Sequence, residues 1–248
     1  MHSSAVPQHY FASYYVYTYM IRKFSVDEKI FSVWNEKNAY VLGYIYADGH
    51  LQDVPLIRAQ YLRITSTDKD RLTYIRNVLK STHPIIPLKK QQSHHKDKFL
   101  LSIGSKILYS DLVRIGLHPA KSMDMVLPTI PKEYFAHFIR GYFDGDGCLF
   151  IERRPSKDTQ RINVHRLSLI FTSGSKKFLE QLGRMMHTHD VANTLKIYKN
   201  GRSFQMRFST KEALEICNFM YRTMSDNAYM KRKKNVFDEY VEARKLRM

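Results

Sequence analysis

The chain of 248 residues has only two cysteines, Cys148 and Cys217. Two thiols make neither a disulfide framework nor a zinc site, and they suit a reducing compartment, cytoplasmic or organellar, rather than secretion. Long apolar runs are missing as well. The segment 10–21 is apolar and aromatic but short and tyrosine-rich, and its basic pair Arg22-Lys23 follows it instead of preceding it. Neither a secretory signal nor a membrane span is expected. Acidic residues are scarce: 23 Asp and Glu stand against 40 Lys and Arg, a formal net charge of +17. A field of that sign favours a polyanion, nucleic acid first and acidic lipid second. With 44% apolar residues the chain can nonetheless bury a real core.

Glycine is also scarce, 10 in all, but it recurs in two similar octets. They are Leu42-Gly43-Tyr44-Ile45-Tyr46-Ala47-Asp48-Gly49 and Arg140-Gly141-Tyr142-Phe143-Asp144-Gly145-Asp146-Gly147. Each ends an apolar stretch that reads as a buried helix. Asn35 is a suitable N-cap for the first, and Pro131 suits the first turn of the second. Gly49 and Gly147 are read as the glycines that stop them.

The rest of the chain repeats in order around these octets. Strands are expected over 50–58 and 59–67, a helix over 69–80, strands over 85–91 and 98–103, and a helix over 106–115. The second copy has strands over 148–154 and 161–172, a helix over 175–187, strands over 194–198 and 203–209, and a helix over 211–220. A basic helix follows from Tyr229. Asp48 and Asp146 lie 98 residues apart, Ser66 and Ser173 107, and Lys106 and Lys211 105. Near-constant offsets indicate a duplicated unit, with a longer hairpin loop in the second copy. The division read from this is an N-terminal extension over 1–34, a first repeat over 35–118, a linker over 119–131 and a second repeat over 132–248.

Gly43 and Ala47 are four residues apart, as are Gly141 and Gly145. Small residues at that spacing let two helix backbones approach closely, which would bring Asp48 and Asp146 together at helix C-termini. The site is electrostatically poor for carboxylates, because the helix ends carry partial negative charge and the two acids repel. A divalent cation removes both problems. Oxygen ligands from Asp48 and Asp146, with the adjoining Gly49 and Gly147, suit Mg²⁺. Such a site can activate water against a phosphodiester. A single Asp-Gly after an apolar helix is ordinarily just a turn; two in matching repeat positions of so basic a chain point to chemistry.

The octets resemble the LAGLIDADG motif, and the chain is similar over about residues 36–240 to single-chain, two-repeat LAGLIDADG homing endonucleases of the intron type. The resemblance implies an α+β fold of two pseudo-symmetric αββαββα repeats. The motif helices lie at the interface and two antiparallel four-stranded sheets form a DNA-binding saddle. It implies a monomer making a double-strand break in a long DNA target with Mg²⁺. Mn²⁺ would substitute, and Ca²⁺ would bind without supporting efficient cleavage. Asp48 and Asp146 hold the eighth motif position, that of the catalytic acid. The sixth is Asp144 in one copy and Tyr46 in the other. A basic residue near each acid is expected from Lys121 in the first half and Lys231 or Lys233 in the second, and a strand-end polar residue from Ser66 and Ser173. No flanking segment resembles the splicing parts of an intein. An RNA-binding maturase acting on its host intron RNA, or a non-cleaving DNA-binding protein, are the alternatives on the same fold.

A strand ribbon can enter the major groove, where every base pair is distinguishable. His50, Gln52, Arg58, Gln60 and Arg63 are the groove candidates of the first half, and Glu152, Arg154, Arg161, Asn163 and His165 those of the second. Ser66 and Ser173 are grouped with them. Lys69, Lys89, Lys90, Lys176, Lys177, Arg232 and Lys234 are read as phosphate contacts, which set affinity rather than sequence.

Overall fold

The computed structural model of the protein describes residues 23–89, 96–119, 123–155, 162–193, 195–222, 224 and 228–245. Lys90, Lys121 and Arg161 lie outside the described residues.

Two motif helices form the centre. Helix α1 (Glu36–Asp48) starts where the Asn35 side chain accepts from the Asn38 N–H at 2.9 Å. Helix α4 (Phe135–Asp146) starts later than Pro131 suggests, because Lys132–Tyr134 form a 3-10 turn first. Tyr40, Val41, Leu42, Tyr44, Ile45 and Tyr46 are all inaccessible to solvent, so α1 is buried on every side. Its closest partner is α4. At the crossing, a Cβ on Gly43 would collide with the Phe138 carbonyl, and one on Gly141 with the Tyr40 carbonyl. The contact is reciprocal, as a two-fold relation between the helices requires.

Both helices end at glycines in extended conformation, Gly49 at φ −77° and Gly147 at φ −91°. They are not left-handed stops. A Cβ at Gly49 would run into the Ile45 carbonyl, and one at Gly147 into the Phe143 ring, so close approach rather than positive φ calls for glycine here.

The first half continues with β1 (Gly49–Val54), β2 (Ala59–Ser66), α2 (Lys69–Val78), β3 (Ile85–Leu88), β4 (Lys98–Gly104) and α3 (Lys106–Ile115). The second has β5 (Gly147–Pro155), β6 (Ile162–Ser173), α5 (Lys176–Thr188), β7 (Ile197–Asn200), β8 (Ser203–Phe208), α6 (Thr210–Arg222) and a further helix α7 (Lys231–Lys245). Each half builds one antiparallel four-stranded sheet, in the orders β1-β2-β4-β3 and β5-β6-β8-β7. The pseudo-symmetric α+β architecture expected from the repeat is therefore present.

Side chains alternate across each strand. Leu51, Leu62, Ile64, Leu101 and Ile103 turn one sheet face to the helices, and Leu149, Leu169, Phe171, Met206 and Phe208 do the same in the other. The intervening residues form two open faces. Residues 24–34 pack on the first half, where Ser105 Oγ donates to Glu28 at 2.6 Å. No helix among the described residues is long and apolar enough to cross a membrane.

Candidate active site and nucleic-acid interface

Asp48 and Asp146 are the last residues of α1 and α4, each partly exposed. A Cβ on Gly145 would collide with the Ala47 Cβ of the opposite helix, so the small residues at 47 and 145 let the two helix ends that carry the acids close on each other. A cavity of about 250 Å³ opens there, lined by Tyr44, Asp48, Ser66, Lys98, Asp144 and Arg232 among others. The Tyr44 hydroxyl bridges Ser66 Oγ (3.1 Å) and the Asp48 carboxylate, and burial pushes its pKa up with Asp48 adding to the effect. In the second half the Tyr142 hydroxyl donates to the Thr172 carbonyl at 2.7 Å and also pairs with Ser173.

The donor set fits a hard divalent cation in kind: the Asp48 carboxylate lines the cavity, Asp146 ends the neighbouring helix without lining it, and no thiolate or imidazole is in the lining. Among the described residues no group of three or more His, Cys, Asp or Glu gathers anywhere. Any cation here would take part of its shell from water or a phosphate. The Gly147 carbonyl is already engaged, accepting from Lys233 Nζ at 2.5 Å.

That lysine is one of the two expected near the second acid. Lys233 is 4% exposed. Its Nζ also donates to the carbonyls of Phe143 (2.5 Å) and Asp144 (2.9 Å), neutralising the C-terminus of α4. Burial pulls its pKa down to about 8, while the Asp144 carboxylate opposes the shift. With its ammonium bound to three carbonyls, Lys233 braces the helix that carries Asp146. Lys231 is exposed, and Arg232, between them, reaches the cavity beside Asp48. Arg232 also borders an adjoining basin with Lys69 and Lys96.

Asp144, at the sixth motif position, is fully buried. Its Oδ2 accepts from the Tyr40 hydroxyl at 2.7 Å and the Met230 N–H at 2.8 Å, and burial raises its pKa to about 6. The corresponding Tyr46 instead donates to the Ile115 carbonyl at 3.1 Å and packs against Phe138 and Phe178.

The strand register sorts the expected groove residues. His50, Gln52 and Arg63 lie on the open face of the first sheet, with His50 opposite Arg63. Arg58 is exposed in the turn between β1 and β2, at φ 49°. Gln60 does not face the groove: it shares the side of Leu62 and donates to Asp53 at 3.1 Å. Ser66 and Ser173 are buried on the helix side of their sheets; Ser66 accepts from Asp68 N–H and Ser173 from Ser175 N–H, both at 3.1 Å.

In the second sheet Glu152 accepts from Ser168 Oγ at 2.9 Å, and a register shift between Glu152 and Arg153 leaves His165 unpaired and exposed. Beyond the shift Arg154 lies opposite Asn163, while Arg153 pairs with Glu239 of α7. Sequence reading missed the open faces of β4 and β8, including Lys98, Ser102, Gln205 and Arg207. Alternation around Leu101 and Met206 carries that signal.

Residues 133–220 match the LAGLIDADG-like domain. The chain is 26% identical over 196 residues to reverse gyrase of Methanocaldococcus jannaschii, covering 78% of this chain and 10% of that protein. It is 24% identical over 172 residues to the probable translation initiation factor IF-2 of the same organism, covering 67% and 12%. The chain thus spans about a tenth of the length of the curated relatives it matches. In three dimensions it superposes on the LAGLIDADG meganuclease I-AabMI bound to uncleaved DNA, with TM-score 0.56, 13% identity, and 86% and 91% of the two chains covered. It also superposes on I-DmoI in complex with DNA and Mn, with TM-score 0.50, 17% identity, and 76% and 98% covered.

Proposed function

We propose that this chain, which carries a LAGLIDADG-like domain in its second half and the LAGLIDADG homing-endonuclease fold across both, is a monomeric, site-specific DNA endonuclease dependent on Mg²⁺. One observation carries the reading. Two helices packed backbone to backbone end in Asp48 and Asp146, and both carboxylates act on the buried Tyr142 hydroxyl between them. Carboxylates at helix C-termini are disfavoured unless positive charge joins them; Lys233 supplies part of that charge at α4, and a cation shared with Asp48 would supply the rest.

Asp48 and Asp146 would hold the cation, which when bound lowers the pKa of water and offsets charge on the phosphate. The chain's own residues do the rest. Tyr44 and Ser66 orient the Asp48 carboxylate. Lys98 and Arg232 line the same cavity and face the phosphate charge. Lys233 holds the end of α4. Water oxygen bonds to phosphorus as the bond to the 3′ oxygen breaks; the water gives up a proton, the leaving oxygen gains one, and a 5′ phosphate and 3′ hydroxyl result. A unit that matches parts of two otherwise different proteins supports a self-contained module that moves between hosts.

The test is a selection of bound duplexes from a random library in Ca²⁺, followed by incubation of the recovered site with Mg²⁺. Both strands should be cut. Asp48→Asn and Asp146→Asn should bind the site as wild type does and fail to cut it. Full cleavage by either variant overturns the assignment.

A further inference from the structure

The outer strand pairs of the two open sheet faces occupy equivalent positions in the repeat, yet their chemistry differs, although Phe150 on β5 leaves an apolar group 40% exposed on the second face as well. In the first sheet, β3 and β4 pair Ile86 with Leu100 and Leu88 with Lys98. In the second, β7 and β8 pair Tyr198 with Gln205 and Asn200 with Ser203. The sheet orders match, and Ile85 and Ile197 hold the same register place opposite the core residues Leu101 and Met206. Ile86 therefore corresponds to Tyr198, Leu88 to Asn200, and Leu100 to Gln205. Ile86 is 47% and Leu88 37% exposed. None of Ile86, Leu88 and Leu100 joins the core beneath, whereas their neighbours Ile85 and Phe99 do.

On the second face the groups are built for hydrogen bonding. Gln205 Oε1 accepts from Arg207 Nε (3.1 Å) and Nη2 (2.6 Å), and the guanidinium sits 6.0 Å from the Tyr198 ring. One edge of Arg207 is thereby held while its remaining donors are presented outward. A guanidinium so presented suits guanine O6 and N7.

An exposed apolar row on an edge strand invites self-association unless something covers it. Here the cation Lys98 lies directly opposite Leu88 in the register, and Arg63 and His50 share the face. Apolar contact flanked by cations matches one feature of a duplex: thymine C5-methyl groups in the major groove, bordered by phosphates.

We infer that Ile86, Leu88 and Leu100 read thymine methyl groups, so that the part of the target under β3 and β4 is thymine-rich and the equivalent part under β7 and β8 is read by hydrogen bonds. The inference rests on the DNA-binding reading above. It makes the target asymmetric although the scaffold is nearly two-fold.

Uracil in place of thymine removes the methyl and keeps the base pairing, which gives a direct test. The selected site is rebuilt with single uracil substitutions, and binding is measured in Ca²⁺ with wild type and with Ile86→Gln/Leu100→Gln. Wild type should bind about fourfold more weakly for each methyl lost under β3 and β4, the factor for one buried carbon. Uracil under β7 and β8 should have no effect, and the double variant should be indifferent to uracil under β3 and β4. Indifference of wild type at every position overturns the inference, as does an equal response from wild type and variant. Concentration-dependent dimerisation of free wild type that the double variant abolishes would assign the row to a second copy of the chain and overturn it too. Failure to recover any bound duplex refutes the DNA reading itself.

Discussion

The hydroxyl of Tyr40, in the first half, donates to Oδ2 of Asp144, in the second, at 2.7 Å, and both side chains are fully buried. The same oxygen accepts the Met230 N–H just before α7, and Arg71 Nη1 of α2 donates to the Tyr40 hydroxyl at 3.3 Å. One carboxylate oxygen thus joins α1, α2, α4 and the approach to α7. It also explains why the two sixth motif positions differ. Asp144 ties the halves together, whereas Tyr46 fills space beside Phe138 and Phe178.

Asp144→Asn should remove the loss of stability that wild type shows as pH rises towards neutrality. Oδ2 takes both hydrogen bonds, and Oδ1 is buried with no hydrogen-bond partner among the described residues. An amide can therefore keep both bonds through its oxygen. Burial raises the carboxyl pKa from 3.8 to about 6. A raised folded pKa means that its contribution to stability is complete below about pH 4 and lost as pH rises through about 6. The variant should gain on wild type across that window by about 2 to 3 kcal/mol. Urea unfolding of both proteins between pH 4 and 8 measures it; a pH-independent difference would contradict the account.

Gly141→Ala should largely abolish folding. The new Cβ would overlap the Tyr40 carbonyl, a backbone atom that cannot rotate away. Separating α1 from α4 would open the most extensive helix contact in the molecule, at a cost above about 4 kcal/mol. Gly201→Ala is the control. Its φ of 58° disfavours a side chain but nothing lies within 4 Å, so a loss of about 1 kcal/mol is expected. Soluble yield and melting temperature separate the two outcomes.

Lys233→Met should cost roughly 3 kcal/mol or more, because it strands three carbonyls and the nearby Asp144 carboxylate without their buried cation. Lys231→Met, on the exposed neighbour, should stay within about 0.5 kcal/mol. Denaturant titration of the pair shows which lysine braces the motif helix. Equal effects would rule out the distinction.

The open-face residues show where counting along a strand works and where it stops. In Ala59–Ser66, Gln60 and Ser66 share the parity of Leu62 and Ile64, so their helix-side placement was legible from alternation alone. His165 was not legible. A register shift that depends on two strands removes it from its own alternation. Lys233 was legible as one of two candidates for a basic residue near Asp146, but that it and not Lys231 is buried was not, and nothing along the chain marked Arg71 as buried.

What the sequence alone determined is local and repeated: two apolar helices ending in Asp-Gly, the period of each strand and helix, the duplication, and the basic charge. These follow from side-chain periodicity and composition, which need only neighbours along the chain. Tertiary structure decided which groups meet. Tyr40 lies 104 residues from Asp144, and Lys233 lies 86 from Gly147. Their pairing depends on the backbone approach at Gly43 and Gly141 and on α7 returning to the end of α4. The chemistry of each sheet face depends likewise on register between strands, a relation that no single stretch of sequence contains.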